Sequence, residues 1–365
     1  MWRRSNPLMV LVCLTVGGWA QSPPFRADLP AGSPVELVAA DWGNSSAVPR
    51  GGAMLVDLHA VLRLRNNTAR RIRAIALRVV AQEVAPGGRG AVTRPGLDVA
   101  PGGEFPLRID MRLMRPLAPQ AGPLVEIALD GILFDDLAFL GPNRMNVRRS
   151  MLAWEIEARR DRLMLAAILE KGGAEALRET MLETLARQES AMMPVQVMRG
   201  AAPSTNLGPG RKTELAALRI PESPVELLSG EAVIAGPEAH SARIDVSNRS
   251  ARAVRFVELG WLVSDSTGRM SAAGTLPAEI HLPPGQRSTV RGESRVRFAR
   301  PVDSLAVYPA LVEFENGDVW VPPVAAWRQP GVGGALPPSG ELIRLAELYR
   351  KKGLEAVIQQ LRAMR

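Results

Sequence analysis

The chain has 365 residues, 46% of them hydrophobic and 22% charged, which excludes a disordered, collagenous or multi-pass membrane protein and predicts two or three domains. Its formal charge is +8, yet the basic residues are spread along the chain and only 4% of residues are aromatic, so nucleic-acid binding is not expected.

In chain order, Arg3 and Arg4 precede an apolar stretch from Leu8 to Val16, followed by Gly18 and Ala20 at the small-residue positions before Gln21. This reads as a cleaved secretory signal peptide over 1–20, too short in its apolar part to span a bilayer. Cleavage would lower the formal charge from +8 to +6 and remove Cys13, the single cysteine, leaving no disulfide, thiolate metal site or cysteine nucleophile. An exported chain without disulfides fits a bacterial periplasm or cell surface, or secretion from such a cell. No transmembrane segment is expected after cleavage.

Residues 21–143 read as strands. Met54, Val56, Leu58, Ala60, Leu62 and Leu64 alternate with residues that are mostly polar, and Ile75, Leu77, Val79 and Ala81 alternate again. Between them lies the turn sequence Asn66-Asn67-Thr68. Pro101-Gly102-Gly103 predicts a further turn, and Asp130-Gly131 between apolar runs predicts a tight hairpin. Residues 144–190 read as a helical hairpin, with Leu152, Ile156, Leu163 and Ala167 at helical spacing, a break at Gly172-Gly173, then Leu177, Met181 and Leu185. Residues 191–222, rich in Pro and Gly, are expected to be a flexible linker.

The pattern then returns. Ser33-Pro34-Val35-Glu36-Leu37 reappears as Ser223-Pro224-Val225-Glu226-Leu227, Asn66 through Arg73 as Asn248 through Arg255, and Val99-Ala100-Pro101-Gly102 as Leu282-Pro283-Pro284-Gly285. Leu124-Val125-Glu126-Ile127 is matched to Leu311-Val312-Glu313-Phe314, and the helical stretch through Lys171-Gly172-Gly173 to that through Lys352-Gly353. These matches predict strands over 223–326 with a hairpin at Asn316-Gly317, a linker over 327–338, and a helical hairpin over 339–365, capped by Ser339 and broken at Gly353.

The expected fold is mainly β with α: two antiparallel Ig-like β-sandwiches, each followed by an α-helical hairpin, related by internal duplication. In strand rhythm, Asn-x-Ser/Thr turn and late Gly-containing hairpin, each unit resembles the tandem Ig-like or fibronectin-III-like domains of exported bacterial proteins. That resemblance implies an architecture and no activity.

Chemistry-bearing patterns are sparse. His59, His240 and His281 are isolated, no Gly-x-Ser-x-Gly elbow occurs, and Gly208 through Thr213 departs from a phosphate loop at Arg211 and Asn206. No cofactor, metal site or catalytic residue is expected. The acidic residues Asp135, Asp136, Glu155, Glu157 and Asp161 are the candidates for an enzyme or accessory factor acting on cell-wall or surface polymer. On a helix, Glu155 would meet Arg159, and Glu157 would meet Arg160 and face Asp161, most simply as an ion-pair ladder. The basic residues Arg63, Arg65, Arg70, Arg71, Arg73, Arg243, Arg249, Arg252 and Arg255 recur in both units and form a candidate surface for an acidic polymer or an envelope protein. The leading expectation is an exported, non-enzymatic binding, adaptor or structural protein of the cell envelope. Intact-mass measurement of the exported protein is expected to give a chain beginning at Gln21; a species retaining residues 1–20 would contradict the cleavage.

Overall fold

A computed structural model describes residues 24–30, 32–83, 86–117, 122–190, 195–198, 210–268, 270–292, 295–323 and 335–364. The expected signal peptide and Cys13 lie outside the described residues, as does most of the 327–338 linker. Among the described residues the fold is mainly β, with several sheets and three helices.

The first half contains β1 (Phe25–Asp28), β2 (Val35–Asp41), β3 (Ser46–Arg50), β4 (Ala53–Asn66), β5 (Ile72–Val80), β6 (Arg89–Arg94), β7 (Glu104–Pro116), β8 (Val125–Phe134) and β9 (Phe139–Leu140). One sheet runs β1-β8-β5-β6, with β9 on β8; the other runs β2-β4-β3, with β7 on the opposite edge of β4. Period-two alternation sends Leu58, Leu62 and Leu64 of β4 into the same core as Ile75, Leu77 and Val79 of β5 and Ile127 and Ile132 of β8. Two sheets sharing one core in this way are compatible with a β-sandwich.

The helix α1 (Arg148–Ser190) follows. The second half contains β10 (Val195–Met198), β11 (Arg211–Glu214), β12 (Ala216–Ala217), β13 (Val225–Ala235), β14 (Glu238–Asn248), β15 (Val254–Ser264), β16 (Met270–Leu282), β17 (Arg287–Gly292), β18 (Arg295–Phe298), β19 (Ser304–Phe314) and β20 (Val319–Trp320). It closes with α2 (Gly340–Lys352) and α3 (Leu354–Ala363). Here β10-β18-β14-β13-β11 forms one sheet with β17 on β14, and β12-β19-β15-β16 another with β20 on β19. Their shared core holds Ile244, Val246, Val257, Leu259, Trp261 and Val312.

Two expectations are corrected here. Asp130-Gly131 is no hairpin: both residues lie within β8, and Asp130 is fully buried, its carboxylate accepting the backbone N–H groups of Arg144 and Met145. The turn comes later, after Phe134, where Leu137 takes φ 67° without the glycine that would have marked it. The register therefore sets Phe134 opposite Ile72 and Phe314 opposite Val254, so Phe314 corresponds to Phe134 and not to Ile127. Residues 191–222, the expected linker, include strand segments, β10 pairing with β18, β11 with β13, and β12 running parallel to β19. Strand edges on the second half recruit them despite their turn-rich composition.

The same hydrogen-bonded corner occurs in both halves. Asn66 donates its amide to Arg70 O, Val99 O and Ala100 O and accepts from the backbone N–H and hydroxyl of Thr68. Asn248 donates to Arg252 O and Leu282 O and accepts from the N–H and hydroxyl of Ser250. Both asparagines are buried, so their amides satisfy carbonyls that water cannot reach.

Helices follow the expected breaks. Gly173 interrupts α1 at φ 71°, ψ −167°, and Gly353 separates α2 from α3 at φ 81°, ψ 177°, a region left almost wholly to glycine. Ser339 caps α2 by accepting from Leu342 N. The arms pack together: Leu165, Leu177 and Met181 share a core with Leu345, Val357 and Leu361, residues 180 positions later in the chain.

The first arm of α1 lies between the two halves. Val147, Met151 and Leu152 pack on Ala74, Ala76 and Leu133, while Ala153 and Ile156 pack on Phe256, Leu311 and Val321. On β5 the helix therefore meets the small side chains of Ala74 and Ala76. Asn66→Ala and Asn248→Ala are each expected to lower the stability of the protein by about 2–4 kcal/mol in urea unfolding, because each leaves at least two backbone carbonyls and two donors of the corner without their partner; a loss below about 0.5 kcal/mol would show that the corner is dispensable.

Candidate functional site

On α1, successive residues face different neighbours, which separates acids that are adjacent in sequence. Glu155 points into a buried ionic network: it accepts from Arg159 at 3.0 Å and Arg162 at 2.8 Å, and Arg162 reaches Glu341 of α2 at 3.3 Å. Glu341 in turn holds Arg344 at 2.8 Å. Beside this network Trp154 occupies a slot that glycine keeps open, since a Cβ at Gly96 would lie 2.8 Å from its ring and one at Gly340 2.4 Å.

Glu157 and Asp161, one turn apart, face a cleft of about 820 Å³. Its walls are the two arms of α1, the β19 residues Tyr308 and Ala310, Pro322, and the segment entering α2. Asp161 is buried and accepts a hydrogen bond from the Ser339 hydroxyl. Among the described residues, Glu157 makes no hydrogen bond or ion pair. The expected Glu157–Arg160 contact does not form, because Arg160 instead donates to Val321 O at 2.9 Å and Pro322 O at 3.1 Å.

Removal from water penalises these charges. Burial, reinforced by the neighbouring Asp161, pushes the Glu157 carboxyl up to about 7. Burial also raises Asp161 to about 6 against the Ser339 hydrogen bond, which favours its ionised form. The Tyr308 hydroxyl is pushed up to about 12 by burial and by the nearby carboxylates. At neutral pH the cleft thus holds two carboxyl groups that can exchange protons, with a phenol that stays protonated.

The other acidic candidates lie elsewhere. Asp136 pairs with Arg70 and accepts from Ala138 N, and together these hold its carboxyl below the usual range. The Asp135 carbonyl accepts from Arg159. Tyr308 and Glu183 line the cleft without having been singled out in the sequence, and Ser339 was read there only as a helix cap; none of the three lies near Glu157 along the chain.

Most of the candidate basic surface is matched by acids. Arg65 bridges Glu36 and Glu104, Arg71 and Arg73 share Asp98, Arg249 meets Glu226, and Arg255 meets Glu313. Arg70 and Arg252 lie over the rings of Phe134 and Phe314 while pairing with Asp136 and Asp318. Arg63 and Arg243 are exposed on β4 and β14. Arg73 is buried, and that burial depresses its pKa despite Asp98. These contacts neutralise much of the charge that an acidic polymer would need. His59 lies on an exposed strand face against Asp110 at 2.9 Å. Among the described residues no three His, Cys, Asp or Glu side chains converge as metal ligands, and no helix is long and apolar enough to cross a membrane.

No protein-family model and no curated protein matches the chain. Among solved structures it is similar to a red sea bream transglutaminase at 9% identity and a TM-score of 0.14, covering 77% of this chain and 29% of that one. It is also similar to a two-domain protein of unknown function from Bacteroides fragilis, at 8% identity and TM-score 0.16, covering 79% and 92% respectively. A β-glucosidase from Kluyveromyces marxianus matches at 9% identity and TM-score 0.14, covering 73% and 45%. The chain spans less than a third of the transglutaminase, and likenesses this weak carry neither fold nor chemistry over to it.

Glu157 gives a pH prediction. Its folded pKa of about 7 lies above the unfolded carboxylate value, so the folded state binds the extra proton and stability falls as pH rises through that window. Glu157→Gln removes this penalty and is expected to raise stability by about 1–3 kcal/mol at pH 8, with little change at pH 4, in thermal or urea unfolding. Equal effects at both pH values would contradict the assignment.

Proposed function

We propose that the chain is an exported, non-enzymatic binding or adaptor protein of the cell envelope, built from two similar Ig-like sandwich-plus-hairpin units. The interlocked pairings support the Ig-like reading: β4 with β7 and β5 with β8 in the first half, β14 with β17 and β15 with β19 in the second. The matching asparagine corners, the parallel pairings of β1 with β8 and β12 with β19, and the glycine breaks support duplication.

One observation carries the functional reading. The first arm of α1 is fastened to the second half by Arg149, which pairs with the buried Glu313 at 2.5 Å and sits 3.2 Å over the Phe256 ring, while Met151 and Leu152 pack into the first half. Such a clamp presents two sandwich surfaces at a fixed separation, which favours a partner that engages both and so gains avidity. The reading proposed is of two units held in register by α1.

Affinity capture from envelope extract, using residues 21–365 beside an Arg149→Ala variant, tests it. A specific partner retained by the intact chain and bound about tenfold or more weakly by the variant is expected. Turnover of an envelope polymer by the purified chain, abolished in Glu157→Gln, would replace this reading with an enzymatic one.

A further inference from the structure

We infer that the cleft beside α1 is a binding site for a small amphiphilic primary amine, its ammonium group seated between Glu157 and Asp161 and its apolar body along Met164, Ile168, Ala310 and Leu342. The inference deepens the binding-protein reading and rests on it.

The cleft volume of about 820 Å³ lies within the range of small-molecule sites, and its lining residues are of two kinds. One is apolar, from Met164 and Ile168 on α1, Ala310 and Pro322 on the second half, and Leu336 and Leu342 beside α2. The other is rich in hydrogen-bond acceptors. The Thr180 and Thr184 hydroxyls donate back to Ala176 O and Thr180 O, which leaves their oxygens as acceptors. Glu157, Asp161 and Glu183 add carboxylates.

Several donors in the lining are directed at protein groups. Arg160 serves Val321 O and Pro322 O, Arg187 donates to Leu336 O, and the Ser339 hydroxyl serves Asp161. An ammonium group brings three donors and a positive charge to Glu157, which accepts no hydrogen bond among the described residues. An alkylamine, like a lysine side chain, stays protonated below about pH 10.

The groups facing these two acids are Arg160 on the same arm, Glu183 and Arg187 on the second arm, Tyr308 and Glu258 on the second half, and Arg162 and Glu341 behind Asp161. Carboxylate character prevails near Glu157, where Asp161 and Glu258 raise its pKa and Arg160 alone opposes them. A bound cation reverses that balance, so binding near neutral pH should release protons and should weaken as pH falls.

The test is calorimetric titration of the full mature chain with n-hexylamine, with 1-hexanol, hexanoate and spermidine as controls. Hexylamine is expected to bind at one site, at least about tenfold more tightly than 1-hexanol. Its heat at pH 7 should vary with the ionisation enthalpy of the buffer, and Glu157→Gln should remove its advantage over 1-hexanol. Spermidine, which lacks an apolar body, is expected to bind more weakly. Absence of saturable hexylamine binding up to about 5 mM, equal binding of hexylamine and 1-hexanol, or undiminished binding by Glu157→Gln would each overturn the inference. Failure here with partner capture still sensitive to Arg149 would remove the ligand class alone; loss of that sensitivity would remove the underlying binding-protein reading.

Discussion

The arrangement of this protein depends on one helical arm being buried on two sides. Residues 147–156 of α1 carry apolar side chains that pack into both halves of the molecule. Each fully buried Leu or Met side chain contributes roughly 1.5–3 kcal/mol from removal of apolar surface from water. Those contacts alone would allow the helix to slide or rotate. Orientation comes from the ionic groups around it: Arg149 on Glu313 and Arg162 between Glu155 and Glu341. Glu313, Glu155 and Glu341 are buried. An unpaired carboxylate there would be costly, so alternative positions of the arm that leave any of them without its arginine are disfavoured.

The cleft is a consequence of that placement. With the first arm set against β15 and β19, Glu157 and Asp161 turn toward the space beneath the second arm, where solvent is partly excluded but no arginine closes on Glu157. Buried groups with displaced pKa values concentrate at functional sites, although structural ionic networks produce them too. What separates the two cases here is the contrast between Glu155 and Glu157. Glu155 is enclosed by arginines, and Glu157, two residues on, faces open volume.

Much of the fold was legible in the sequence because period-two alternation and glycine breaks are local signals. The strands around Leu58 and Leu77, the breaks at Gly173 and Gly353 and the Ser339 cap all emerge where spacing placed them. The hairpin at Asp130-Gly131 was misread because a buried aspartate serving two backbone N–H groups looks like a turn residue, while the true turn has Leu137 at positive φ. The strands β10 to β12 were missed because docking onto an existing sheet edge overrides composition. The site was less legible still. Helical spacing placed Glu157 and Asp161 on one face, but Tyr308, Glu183 and the diversion of Arg160 to two backbone carbonyls arise only from tertiary packing.

The central claim is that α1 joins the two halves into one cooperative body, and scanning calorimetry of the mature chain tests it most directly. One heat-absorption peak whose calorimetric and van't Hoff enthalpies agree is the predicted result. Two separable transitions, each carrying about half of the enthalpy, would mean that the halves unfold independently and would contradict the account.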